Sequence, residues 1–322
     1  MTKAPREAVP VGKGRKGLGM GKVAILLVLA VSAAAVVPAL QRAREAANGQ
    51  LDGRKAFTIL QSQCDLGPRP PGTAAHLATR NYLMTELRKV TDTAETQAFA
   101  GTYNGKPIQM WNLVGTLNPD AKRKIMLCAH WDTRPTADEE ALPEDRQKPI
   151  LGANDGASGV AVLLELARVL KLKRPQVGII FCLLDGEDVG PGVSNMFLGA
   201  SYYAKHPIPS KPERAILIDM IGDSDLRIPQ EPYSLNNDRE MVQTVWKAAK
   251  TLGFSQQFPE ETQTPVLDDH TKLQDGGIPS IDLIDFTYPA WHTLQDTPDR
   301  CSARSLETVG KVLEKVAREL KP

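Results

Sequence analysis

The chain has few aromatic residues, few cysteines and no surplus of charge of either sign. Lysine and arginine number 39 against 38 acidic residues, a net charge of +1, so nothing electrostatic points to a nucleic-acid partner. The four cysteines, Cys64, Cys128, Cys182 and Cys301, lie far apart. Without a CxxC pair there is no zinc ribbon and no thioredoxin-type redox motif. Cys128 and Cys182 sit within apolar runs, as small core residues do. Cys64 and Cys301 flank the globular part in polar, turn-rich stretches, and a bridge between them is expected if the protein is exported. No internal repeat or long low-complexity tract occurs. Aromatic residues make up only 5%, yet 42% hydrophobic and 24% charged residues suit a chain with a full core and exclude intrinsic disorder.

What charge there is, is unevenly placed. Residues 1–22 carry six basic side chains against Glu7, so a leader with five net positive charges precedes a remainder with four net negative ones. Residues 23–40 follow, with Ser32 the sole polar residue and Pro38 the sole helix breaker. About 20 apolar residues span a bilayer, whereas a cleaved signal peptide has a shorter apolar region ending in small residues, a role open to Ser32–Ala35. A transmembrane signal-anchor is the first reading, a signal peptide the second and a buried core helix the third. The basic flank keeps the N-terminus cytoplasmic by the positive-inside rule, so an anchor would hold the rest of the chain on the extracytoplasmic side of the membrane. Residues 41–52 read as a polar linker or stem, and 53–322 as a single catalytic domain.

Within that domain the apolar period changes along the chain. Helical periodicity covers 54–63 and 74–89, separated by the turn GPRPPGT. Short β-branched runs at 108–116, 124–131, 177–184, 214–221 and 280–284 suit strands buried on both faces. They alternate with helical patterns at 157–172, 238–252 and 303–320. The expected fold is therefore α/β, a central mixed, mostly parallel sheet flanked by helices. In such sheets ligands bind beyond the carboxyl ends of the strands.

Metal-competent groups gather at those ends. KIMLCAHWD closes on His130 and Asp132, which share one face of the sheet and can divide the work of binding and orienting a metal. In GANDGASGV, Asp155 precedes a strong helix, where by itself it reads as a cap. VGIIFCLL runs into Asp185, Glu187 and Asp188, three carboxylates that repel one another unless a cation or a proton intervenes; a solvated acidic loop is the alternative. Asp219 lies in the apolar strand RAILIDMIG, where an unpaired carboxylate is costly and a metal or donor is expected beside it. LDDH supplies Asp268, Asp269 and His270, and TYPAWHT supplies Trp291 and His292. Of the five histidines, His76 and His206 read as structural residues near the surface.

Nitrogen and oxygen ligands from separate strand ends suit catalytic zinc. The ordered series HxD, NDGxSG, GED, DMIG, DDH and WHT is more specific than any member. It resembles the clan of zinc aminopeptidases and metal-dependent glutaminyl cyclases over roughly residues 52–322. The resemblance implies the zinc aminopeptidase-like α/β-hydrolase fold. It implies Asp155, Asp188 and His292 as zinc ligands and Glu187 as the general acid/base, with His130 and Asp219 as ligands of a second zinc in aminopeptidases. Asp268, where aminopeptidases of this type carry serine, and Trp291 beside His292 look like the cyclase branch, in which Asp219 and Asp268 join a network with Glu187. Asp188 replaces the commoner glutamate, and Asp282 stands where the animal cyclases carry histidine. The resemblance thus favours an acyltransferase: one zinc per chain, and cyclisation of an N-terminal glutamine of a peptide or protein to pyroglutamate with loss of ammonia. Trp291, Tyr288, Phe286, Val193 and Phe197 would form the apolar wall. A two-zinc aminopeptidase is the alternative, followed by a non-catalytic exported binding protein.

Overall fold

The computed structural model describes residues 1–2, 49–103 and 105–322, and residues 49–322 are the unit considered below. The basic leader and the apolar run of 23–40 lie outside the described residues. Among the described residues, no helix is long and apolar enough to cross a membrane. Leu51 and Asp52, expected in the stem, belong to the domain. Leu51 is buried, and Asp52 caps the first helix by accepting from the Arg54 N–H.

Helices α1 (Gly53–Cys64) and α2 (Ala74–Val90) lead into strands β1 (Thr93–Tyr103), β2 (Lys106–Leu117) and β3 (Lys124–His130). Then come α3 (Ala157–Leu172), β4 (Gly178–Leu184), α4 (Leu198–Lys205), β5 (Ala215–Asp219), α5 (Pro232–Asn237) and α6 (Arg239–Thr251). The unit closes with α7 (Asp269–Asp275), β6 (Ser280–Ile284) and α8 (Ala303–Glu319). The sheet order is β1-β2-β4-β3-β5-β6. β4, β3, β5 and β6 run parallel, and the β1–β2 hairpin joins antiparallel at β4. The sheet is thus mixed, with a parallel half carrying the strand ends of interest. Strand β1 has no counterpart in the apolar pattern because it is an edge strand, in which Gln97 and Phe99 are buried between exposed or half-buried neighbours.

Both faces of the parallel strands are covered, which is why they read as continuous apolar runs. Ile179, Phe181 and Leu183 of β4 meet the large core under α1, α2, α3 and α8; Ile180, Cys182 and Leu184 meet the smaller core under α4 and α7. All four cysteines are buried free thiols. The expected Cys64–Cys301 bridge is therefore absent, and the apolar packing of α1 on α8 joins the two ends of the domain where a covalent link was expected.

Candidate active site

Four parallel strands end on one edge of the sheet, and four chain segments converge there. His130 ends β3, Asp219 ends β5, Asp185 follows β4, and Asp155 precedes α3. Asp155 does not cap that helix: the N-cap is Gly156, at φ 102°, and it makes no side-chain cap hydrogen bond. A side chain at Gly156 would meet the Asp132 carbonyl oxygen at 2.6 Å, so only glycine brings the two segments together. The Asp155 carboxylate instead lies 3.0 Å from His130 Nε2 and 3.6 Å from His292 Nε2.

Two overlapping donor sets result. Ligand atoms of Asp155, Asp188 and His292 lie within 4.8 Å of one another, and so do those of His130, Asp155 and Asp219. All five residues are buried. Asp188 Oδ2 is buried without a hydrogen-bond partner and faces His292 Nε2 at 3.6 Å. Imidazole and carboxylate donors at this spacing fit zinc, and an orphaned carboxylate oxygen aimed into the set fits a cation. His292 has φ 54°, a left-handed conformation costly for a non-glycine residue and concentrated at functional sites. Asp219 has His130 Nε2 at 3.2 Å and accepts from the Met220 N–H, the donors its burial required.

Asp185, Glu187 and Asp188 are all buried, so they are not a solvated loop. Asp132 organises the turn: its two oxygens accept from the N–H groups of Glu187 and Asp188 at 3.1 Å each. This sends the adjacent side chains apart, Asp188 toward His292 and Glu187 toward His130, with Glu187 Oε2 3.7 Å from His130 Nδ1. Burial, reinforced by Asp188, holds the Glu187 carboxyl well above the usual range. Burial also brings Asp188 to about 6. A carboxyl whose hold on its proton is strengthened by burial beside a metal-competent set is suited to accept and return a proton.

Glu187 opens into a cavity of about 290 Å³ lined by Asp155, Asp219, Asp268 and His292 on its polar side and by Met196, Val266, Phe286 and Trp291 among its apolar residues. Phe286 and Trp291 are therefore on the expected wall. Tyr288 is not: its hydroxyl donates to Asp296, and it faces a separate surface depression. Phe197 is fully buried outside the cavity and Val193 is exposed; Met196, between them in sequence, reaches the cavity. Behind Asp268 lies a buried acidic group in which His270 stands 3.2 Å from Glu231 and 3.7 Å from Asp282.

Several residues escaped the sequence reading. Arg69, from the PRPP turn, is fully buried and donates to the carbonyls of Trp131, Leu151 and Gly152, fixing both segments that carry site residues. Asp296 accepts from the N–H groups of Asn154 and Asp155. Arg134 contacts Asp188 and Asp138, and Asp138 lies 3.3 Å from His292 Nδ1. His76 is buried, 2.9 Å from Asp185 and stacked on Trp131, a structural role in the interior where a surface position was expected; His206 is exposed. The signal for Arg69 was a basic residue inside an otherwise apolar turn, but none of the other contacts has a local sequence signature.

The model of peptidase family M28 matches residues 112–317. A glutaminyl-peptide cyclotransferase-like protein of Mus musculus is 27% identical over 296 residues, covering 82% of this chain and 75% of that protein. The crystal structure of Bacteroides thetaiotaomicron glutaminyl cyclase bound to N-acetylhistamine superposes with a TM-score of 0.82 at 35% identity, covering 84% of this chain and 99% of that one. A leucine aminopeptidase precursor from Bacteroides thetaiotaomicron VPI-5482 does so equally well, with a TM-score of 0.82, 35% identity and coverage of 84% and 98%. The matched residues make up more than half of the chain, which therefore belongs to peptidase family M28.

Proposed function

We propose that this protein is a zinc-dependent glutaminyl-peptide cyclotransferase, converting an N-terminal glutamine to pyroglutamate with release of ammonia. The observation that carries the reading is the placement of Asp268 beside Asp219 and Glu187 on one small cavity walled by Phe286 and Trp291. Glu187, Asp219 and Asp268 on the cavity that Asp155 also lines, with His130 Nε2 between Asp155 and Asp219, suit a proton-handling network next to a single metal. The relatives named as glutaminyl cyclases support it.

In this reading Asp155, Asp188 and His292 hold one zinc, which when bound supplies Lewis-acid polarisation of the glutamine γ-carbonyl. Trp291 and Phe286 exclude water and orient the glutamine side chain. Glu187 takes a proton from the α-amino group as its nitrogen bonds to the γ-carbon, then delivers a proton to the side-chain nitrogen as the old C–N bond breaks and ammonia leaves. Asp219 and Asp268 hold Glu187 in its proton-exchanging state. The catalytic unit would act on peptide or protein N-termini on the extracytoplasmic side, tethered by residues 23–40.

A second reading rests on the His130–Asp155–Asp219 set: with two zincs, Glu187 would deprotonate a water for attack on the first peptide carbonyl, as an aminopeptidase requires. The zinc-loaded protein, given a glutaminyl peptide and a leucyl amide in separate assays, decides between them. Ammonia from the first without amine from the second is the expected result. Amine release alone establishes the aminopeptidase, and neither product establishes a non-catalytic protein.

A further inference from the structure

Asp188 and His292 share a neighbour that no reaction step uses. Arg134 is 7% exposed. Its Nη1 donates to Asp188 Oδ1, and its Nε and Nη2 each donate to an oxygen of Asp138 at 2.8 Å. Asp138 Oδ1 in turn lies 3.3 Å from His292 Nδ1. Asp188, Arg134, Asp138 and His292 therefore form an arc of alternating acceptors and donors whose two ends are the metal-competent atoms Asp188 Oδ2 and His292 Nε2, 3.6 Å apart.

We infer that Arg134 and Asp138 are positioning residues that set the zinc affinity of this site, by committing Asp188 to bind through Oδ2 alone and His292 through Nε2. The inference rests on the zinc site proposed above but not on which reaction the site performs. Three physical arguments carry it. A carboxylate with one oxygen held by a guanidinium has a single free oxygen, and here that oxygen is the buried, unpartnered one. An imidazole facing a carboxylate with Nδ1 keeps its proton there and presents the Nε2 lone pair, the arrangement that raises ligand basicity in carboxylate–histidine–zinc triads. The guanidinium also offsets the repulsion between Asp155 and Asp188, two buried carboxylates on one set. Aspartate is a methylene shorter than glutamate at position 188, and the guanidinium of Arg134 holds the other carboxylate oxygen from the one that faces His292.

The test measures zinc binding by competition with a chromophoric chelator, on the full-length protein and on the variants Arg134→Met, Arg134→Lys and Asp138→Asn. Outer-shell partners typically contribute 10- to 100-fold in metal affinity. Arg134→Met and Asp138→Asn are each expected to weaken zinc within that range, Arg134→Lys is expected to recover part of the loss, and the visible spectrum of the cobalt(II) form is expected to change in the first two. A purely structural role would lower the melting temperature of the metal-free protein while leaving the cobalt spectrum and zinc affinity unchanged. Zinc affinity within threefold of the parent in either variant overturns the inference, and so does a loss of zinc that accompanies an unfolded circular dichroism spectrum and is not eased by lysine. Absence of cyclase activity in the parent would count against the proposed reaction and leave this measurement intact.

Discussion

Glu187 and Asp188 are neighbours with opposite environments, and two isosteric substitutions separate them. Asp188 points an unpartnered oxygen at His292, whereas Glu187 faces the cavity and lies 3.7 Å from His130. Glu187→Gln is expected to keep zinc and the folded state while losing the roughly 10²- to 10⁴-fold that general acid/base catalysis supplies. Asp188→Asn is expected to lose zinc first and activity with it. Metal analysis beside single-turnover rates checks both, and near-normal turnover in Glu187→Gln would remove it as the base. Asp269 behaves differently again. Both its oxygens are buried without a partner, and burial pushes the carboxyl up to about 8. A folded-state value above the unfolded one, near 4, means that the unfolded chain releases this proton first. Its contribution to stability is whole below about pH 4 and is lost as pH rises toward 8. In metal-free protein, Asp269→Asn should thus melt increasingly above the parent between pH 5 and pH 8; a gap that stays constant or narrows would show the acid ionised in the fold.

The elements that hold the site are joined by close backbone approaches. The turn into α3 is one of them: Gly156 has a positive φ and lies against the Asp132 carbonyl. Gly156→Ala is expected to destabilise the protein by about 1–3 kcal/mol, the range for a non-glycine residue in a sparsely populated backbone region. It should weaken zinc as well, because Asp155 is the preceding residue. Urea midpoints and chelator competition measure the two effects, and an unchanged midpoint would mean that the turn relaxes freely. At this level the parallel strands and the long helices were readable because their faces are buried with a clear period. Strand β1, exposed along much of one face, and the short helices α5 and α7 offered too few apolar positions to show one.

The catalytic unit as a whole begins earlier than its first helix. Leu51 is 3% exposed, and a side chain added at Gly310 of α8 would meet it at 2.6 Å. A chain starting at Gly53 should therefore be less stable than one starting at Gly49 by about 2–5 kcal/mol, the cost of removing a buried leucine. Equal urea midpoints for the two fragments would show Leu51 to be dispensable. The same packing of α1 on α8 ties the ends of the domain together where a disulfide was expected, with Cys64 and Cys301 contributing apolar thiols to the core.

Much of this could be read without coordinates. Fold class follows from alternating buried strands and amphipathic helices, and the ligand candidates follow from the rule that chemistry collects at strand ends. His130 and Asp219 end strands, Asp188 follows one and Asp155 precedes α3, all elements with a strong local pattern, while His292 lies in the loop after β6. The aromatic wall was only half readable, because residues two apart on a loop have no fixed facing: Phe286 reaches the cavity and Tyr288 turns to Asp296. Arg134, Asp138 and Asp296 were invisible because each acts on a group tens of residues away, and Arg69 showed only as a basic residue inside a turn. Local periodicity encodes which side of an element is buried, but which side chain meets which carbonyl or carboxylate across the chain is decided only when the elements pack.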